Sequence, residues 1–185
     1  YALDALTGEK KWDYTTSAGV ASSPNVAHGV VYVGSNDMKV YALSLQEGSL
    51  IWSYSTTDQV ISRPEVADGR VFVGSWDGKL YTLNAADGML LWSFATGGQI
   101  DASPTVMYGL LYVGSHDGKI YCLNASTGMV GYDWELHNTV VWSYDTGDMI
   151  MFSSAAVTNG KLYVGSYNGK IYALNAKTGE FIWRY

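Results

Sequence analysis

The chain has 185 residues, 48% of them hydrophobic, and a formal net charge of −6. That is ample apolar material for a core, and the charge has the wrong sign for a nucleic-acid partner, which needs a basic face. The 11 Lys and Arg are scattered rather than clustered into a membrane patch. The single cysteine, Cys122, excludes an internal disulfide and a Cys-based metal site, and no apolar run approaches the ~20 residues of a transmembrane segment. The chain opens on Tyr1, inside a repeat and not on Met, and reads as a piece of something longer.

Residues 1–15 form a hairpin: an apolar strand at Tyr1-Ala2-Leu3, a turn closed by Thr7-Gly8, and a strand carrying Trp12 and Tyr14. A full unit follows, with strands at Val20–Ala27, Val30–Ser35, Lys39–Leu43 and Leu50–Tyr54. Glycine recurs too often for helix, and β-branched and aromatic residues fill the runs. The second unit repeats the plan from Ile61, the third from Ile100 and the fourth from Met151. Tryptophans in one frame stand at Trp12, Trp52, Trp92, Trp142 and Trp183, at intervals of 40, 40, 50 and 41 residues. A unit of roughly 40 residues, made of four short strands that are apolar on successive residues, predicts an all-β propeller of four-stranded antiparallel blades. About four and a half blades are present: a half blade at 1–15, full blades at 20–55, 60–95, 100–145 and 151–185, in one repeat region spanning 1–185. This is an arc, because a closed ring of four has no room for the extra hairpin and a ring of seven or eight needs more chain. Its apolar ends are association surfaces, and two copies closing one ring as a homodimer is one expectation.

Asp77-Gly78, Asp117-Gly118 and Asn168-Gly169 supply the positive φ of tight hairpins, whereas Met38 stands where the glycine should be, so its turn is expected to be strained or differently shaped. Pro24, Pro64 and Pro104 lie in the first strand of their blades, where a missing N–H is tolerable, and Ala155 takes that place in the fourth. The third unit carries ten extra residues within 129–141, including Tyr132, Trp134 and His137.

The frame Ala-x-Asp/Asn-x-x-Thr-Gly-x-x-x-Trp, as in Ala2, Asp4, Thr7, Gly8 and Trp12 and again in Ala173, Asn175, Thr178, Gly179 and Trp183, resembles the tryptophan-docking motif of the PQQ-type repeat. The resemblance covers essentially the whole chain. It implies a β-propeller, usually of seven or eight blades, in which Trp12, Trp52, Trp92, Trp142 and Trp183 are structural, each locking the outer strand of one blade against the next. It also implies a choice of function. Some members are quinoprotein dehydrogenases holding pyrroloquinoline quinone and calcium, commonly beside an adjacent-cysteine disulfide that this chain cannot form. Others are non-catalytic scaffolds. The reading here is a scaffold or recognition module for protein or carbohydrate partners, with no cofactor and no catalytic residue, in a periplasmic, extracellular or cell-surface setting that rests on the resemblance alone. The alternatives are a fragment of a PQQ-dependent alcohol or sugar dehydrogenase, or a sensor domain of a signalling protein.

Candidate contact residues are those that vary while the frame stays fixed. Asn36, Trp76, His116 and Tyr167 occupy the turn between the second and third strands, on the face shared with the blade-to-blade crossover, and are expected to be exposed around the axis; variable turn tips are the plainer reading. Arg63 and Asp101 replace the repeat's common residues on predicted innermost strands, where they either pair with each other or mark a polar channel site. Tyr132, Trp134 and His137 in the insertion either dock a partner or form a longer hairpin. Cys122 stands where Ala42 and Ala173 stand and reads as a small core thiol. His28, His116 and His137 share no ligand spacing, so no metal is expected; Asn124-Ala125-Ser126 is a glycosylation sequon that the hairpin motif already explains.

Overall fold

The computed structural model describes residues 1–127 and 140–185, and among them there are eighteen strands and no helix. Strands β1 (Ala2–Leu3) and β2 (Lys10–Trp12) form a two-stranded hairpin. The first blade comprises β3 (Asn25–Ala27), β4 (Val30–Ser35), β5 (Lys39–Ser44) and β6 (Leu50–Ser55). The second comprises β7 (Glu65–Ala67), β8 (Arg70–Gly74), β9 (Lys79–Asn84) and β10 (Leu90–Ala95). The third comprises β11 (Thr105–Met107), β12 (Leu110–Gly114), β13 (Lys119–Asn124) and β14 (Val140–Asp145). The fourth comprises β15 (Ala156–Thr158), β16 (Lys161–Gly165), β17 (Ile171–Asn175) and β18 (Phe181–Arg184). Within each blade every neighbour is antiparallel and the spatial order follows the chain. The innermost strands touch in sequence, β3 on β7, β7 on β11 and β11 on β15; β15 and β3 make no comparable contact, and the blades form an open arc.

The second and third strands of each blade are apolar on both faces, and stacking covers both. Val40, Val71, Leu80, Leu111, Ile120, Leu162 and Leu174 are fully buried. Three kinds of contact repeat along the blade seams. At the outer end Trp12, Trp52 and Trp142 lie against Gly48, Gly88 and Gly179 of the following blade, where a β-carbon would overlap the indole. Each indole N–H donates across the same seam, to the carbonyls of Leu45 (2.9 Å), Ala85 (3.0 Å) and Ala176 (3.0 Å). In mid-seam Val60, Ile100 and Ile150 press on Gly34, Gly74 and Gly114, again with no room for a β-carbon. At the third point the aromatic residue two places after each tryptophan packs on a tyrosine of the next blade, pairing Tyr14 with Tyr41, Tyr54 with Tyr81, Phe94 with Tyr121 and Tyr144 with Tyr172. The tyrosine hydroxyl is fixed in turn. Tyr41 donates to Asp37 and Tyr81 to Asp77, and these carboxylates also accept the N–H of Ser17 and of Thr57 from the preceding crossover. Burial pushes Asp37 and Asp77 up, but the hydrogen bonds they receive outweigh it and hold both below the usual carboxylate value.

One sequence expectation needs correction, and one open alternative is decided. The first strand of each blade has three residues, not the seven or eight read from Val20–Ala27, Ile61–Ala67 or Ile100–Met107. The residues before it spend their polar groups on neighbours outside the blade's own ladder. Ser22 Oγ donates to Ser62 O at 2.9 Å, and Ser62 Oγ accepts from Gly74 N and donates to Gly74 O. Proline in the same stretch has no N–H to offer a ladder. The Met38 turn is not differently shaped. Met38 O accepts both the N–H and the hydroxyl of Thr56 at 2.8 and 3.0 Å, as Gly78 O does from Thr96. It is strained, since Met38 holds φ at +67°, a conformation costing a non-glycine residue about 1–2 kcal/mol.

Met38→Gly should therefore stabilise the protein. The relief of left-handed strain is partly offset by the greater freedom of glycine in the unfolded chain, leaving a gain of about 0.5–1 kcal/mol. Urea unfolding of the two proteins checks it through a higher midpoint at unchanged slope.

Candidate functional site

At the inner end of each blade two stretches meet: the segment leading into the first strand, and the tip between the second and third strands. The tip N–H of Asn36, Trp76, His116 and Tyr167 donates to the carbonyl of Gly19, Gln59, Gln99 and Met149 respectively, at 2.8–2.9 Å, so tip and crossover do share a face. The expected exposure is found at one of the four tips. Tyr167 is 67% exposed, whereas Asn36, Trp76 and His116 are half-buried. Trp76 Nε1 and Asn36 Oδ1 are shielded from solvent with no hydrogen-bond partner among the described residues.

The third blade shows where such a tip reaches. His116 Nε2 lies 2.9 Å from Asp101 Oδ2, fifteen residues earlier in the lead-in segment, and the Asp101 side chain is wholly buried. A carboxylate only accepts, so Nε2–H is the donor. Asp101 Oδ1 accepts the N–H of Phe152, from the next blade, at 3.1 Å. The pairing of Asp101 with Arg63 is thereby corrected. Arg63 is exposed, and its backbone N–H donates to Ser103 Oγ.

Phe152 is the residue that sequence reasoning missed. In the second blade the knob Val60 is two positions before Ser62, whose hydroxyl receives Gly74 N. In the fourth, Ile150 is three positions before Ser153, whose hydroxyl receives Gly165 N. One extra residue has entered, and it is absorbed at Phe152, which takes φ +53° and stands 68% exposed. The 41-residue interval between Trp142 and Trp183, against 40 for the first two intervals, is its trace in the sequence. A bulky residue in the left-handed region is uncommon. Beside His116 lies a polar recess of about 280 Å³ bordered by Asp117, Asp145, Asp148 and Met149, which places negative charge at the His116 end of the link that runs through Asp101 to Phe152 N.

The inner strands carry one further exception. Asn25 Nδ2 donates to Pro64 O at 2.9 Å, and Thr105 Oγ1 to Ala155 O at 2.7 Å, each tying its blade to the next. Glu65 holds the same register, opposite Phe72 as Asn25 is opposite Tyr32. Burial pushes its carboxyl above the usual value, and the Arg63 charge only partly pulls it back.

The remaining sequence candidates fall outside this cluster. Trp12, Trp52 and Trp142 are seam residues; Trp92 packs on Phe72 with its Nε1 lacking a partner among the described residues, and Trp183, 41% exposed, packs on Tyr163. Tyr132, Trp134 and His137 lie outside the described residues. Cys122 is buried, and burial pushes its thiol up to about 12. Asn124 Oδ1 caps its turn by accepting Ser126 N and Thr127 N, as Asn175 does for Lys177 and Thr178.

Four-stranded meanders stacked around an axis, with their variable residues gathered at one end, define a β-propeller class of binding fold. A family model described as outer membrane protein assembly factor BamB matches residues 1–64 and 59–185, and the chain belongs to this family of PQQ-type repeat propellers. No curated protein sequence matches it significantly. Among solved structures it is similar to BamB from Moraxella catarrhalis, with a TM-score of 0.83 and 21% identity over 99% of this chain and 56% of that one. It is also similar to the computationally designed Ika8 protein (TM-score 0.79, 17% identity, 97% of this chain and 53% of that). A third similar structure is the quinohemoprotein alcohol dehydrogenase ADHIIG from Pseudomonas putida HK5 (TM-score 0.76, 24% identity, 93% and 34%). The chain thus spans about half the length of the BamB structure. The one cysteine is a buried core thiol, and among the described residues there is no group of three or more His, Cys, Asp or Glu placed to hold a metal ion.

Replacing Glu65 by Gln tests the inner register. A carboxyl whose folded pKa is raised binds its proton more tightly when folded, so its contribution is most favourable below about the ordinary 4.5 and is lost as pH rises through the folded value. By the register it shares with Asn25, which bonds Pro64 O, Glu65→Gln is expected to offer a permanent N–H donor to the Pro104 carbonyl. The variant should be more stable than the parent at neutral pH, by about 1 kcal/mol, with the difference shrinking as pH falls through that window in thermal melts.

Proposed function

We propose that this propeller region is a non-catalytic scaffold that binds a protein partner in the cell envelope, through the inner end of its third and fourth blades. The observation that carries the reading is Phe152, an apolar ring held strained and exposed while its N–H is pinned by a buried carboxylate that His116 in turn fixes. Strain of this kind persists only where the surroundings enforce it, and an exposed aromatic anchor beside charge is the composition of an interface hot spot. The acidic recess beside His116 suits a partner segment that presents an apolar side chain together with a Lys or Arg. The family match to an outer membrane assembly factor supports both the scaffold role and the envelope setting.

A photo-crosslinking amino acid at position 152, introduced in the organism that makes the protein, tests this. One discrete envelope protein should be captured, and Asp101→Ala, the residue the first blade carries at Ala21, should abolish the capture while the protein stays folded. No adduct, or an adduct indifferent to Asp101→Ala, would sink the reading. Added pyrroloquinoline quinone and calcium should neither quench tryptophan fluorescence saturably nor give dye reduction with alcohols or sugars; either signal would favour a dehydrogenase fragment.

A further inference from the structure

The seam between the third and fourth blades holds a second recess, at the other end of the strands from Phe152. It has a volume of about 590 Å³, an apolar floor of Leu110, Tyr112, Val141 and Ala176, and a rim of Tyr108 and Lys177. The floor is preformed. Tyr112 OH and Trp142 Nε1 both donate to Ala176 O at 3.0 Å, and Ala176 N donates to Gly160 O at 2.9 Å.

Its rim departs from the repeat in a way the fold does not require. The turn joining the first two strands has positive φ at both central residues, in His28-Gly29, Asp68-Gly69, Tyr108-Gly109 and Asn159-Gly160. Such a type I′ turn prefers Asn, Asp or Gly at its first position. Tyrosine there is strained at φ +54° and also 85% exposed, so Tyr108 gains no burial in return. Two residues on, Leu110 is apolar, as Val30 is in the first blade, where the second and fourth blades carry Arg70 and Lys161. Lys161, next to Gly160, and Lys177 add positive charge in a chain of net charge −6, and neither has an ion-pair partner among the described residues.

We propose that this recess is a peptide-docking site for an extended acidic segment of a partner protein, which seats one large apolar side chain on Leu110, Val141 and Tyr112. Tyr108 closes over that side chain, and flanking carboxylates meet Lys177 and Lys161. Apolar floor and cationic rim select this occupant over a basic segment, and the site is independent of the Phe152 face, whose charge is opposite.

The test uses the full chain and a synthetic peptide, acetyl-Asp-Phe-Glu-Leu-Asp-amide, with its Lys-substituted counterpart as control, in calorimetric titration. The acidic peptide should bind saturably and the basic one should not. Tyr108→Asn, the residue of the fourth blade at Asn159, should weaken binding tenfold or more while raising the thermal midpoint. Leu110→Lys, the residue at Lys161, should weaken binding similarly. Equal binding by the variants, equal binding of both peptides, or no binding of either would overturn the proposal. So would a concentration-dependent dimer that Tyr108→Asn dissociates, which would make the occupant a second copy. Tighter binding after Asp133 and Glu135 are changed to Ser would make the chain's own segment the occupant, with the same consequence.

Discussion

The contact on which everything else depends is the pressing of Val60, Ile100 and Ile150 into Gly34, Gly74 and Gly114. A four-stranded sheet with apolar residues on both faces cannot be stable in water alone; it must be covered twice. Glycine in mid-strand removes the side chain that would hold the neighbouring blade away, at a cost in intrinsic strand stability. What is gained is an approach close enough for an isoleucine to fill the gap. That isoleucine is also the last residue before the lead-in segment, so the packing contact fixes where the inner residues of the next blade begin. Structure at the seam thereby sets geometry at the candidate site.

Much of this was legible in the sequence because the packing is periodic. The Trp interval, the Val-Gly-Ser runs and the Asp-Gly turns each report a contact made once per blade. The strand order and the face shared by tip and crossover follow from them. Other features were not legible, for two physical reasons. The first strands read too long because apolar residues that bond between blades look like residues that pair within one. The tips read as exposed because nothing in the residue types of Trp76 or His116 says whether a side chain points out or folds inward; His116 goes inward since Asp101 waits for it there. The bulge at Phe152 left only a one-residue discrepancy in the period, small beside the ten-residue insertion in the preceding unit.

The departures from the repeat fall into two groups. Asn25, Thr105 and Ser22 vary in type but serve the same end, bonding one blade to the next. Phe152 and Tyr108 do the reverse: both are aromatic, exposed and held at positive φ. Strain that local packing does not reward is the mark of a surface kept for contact. That the two sites lie at opposite ends of the strands of one seam, one bordered by carboxylates and one by lysines, lets a single pair of blades hold two segments of unlike charge.

The fourth blade carries Asn168 where the first and second carry Asp37 and Asp77. Its amide donates to Thr146 O and to the Tyr172 hydroxyl, closing the same link between blades without an ionisable group. The two carboxylates, by contrast, are held below the usual 3.8, and the stability they contribute is lost as pH falls through their folded values. Acid therefore loosens the array unevenly. The seams that Asp37 and Asp77 bridge weaken as pH falls, while the junction of the third and fourth blades, which holds both candidate sites, keeps its Asn168 link.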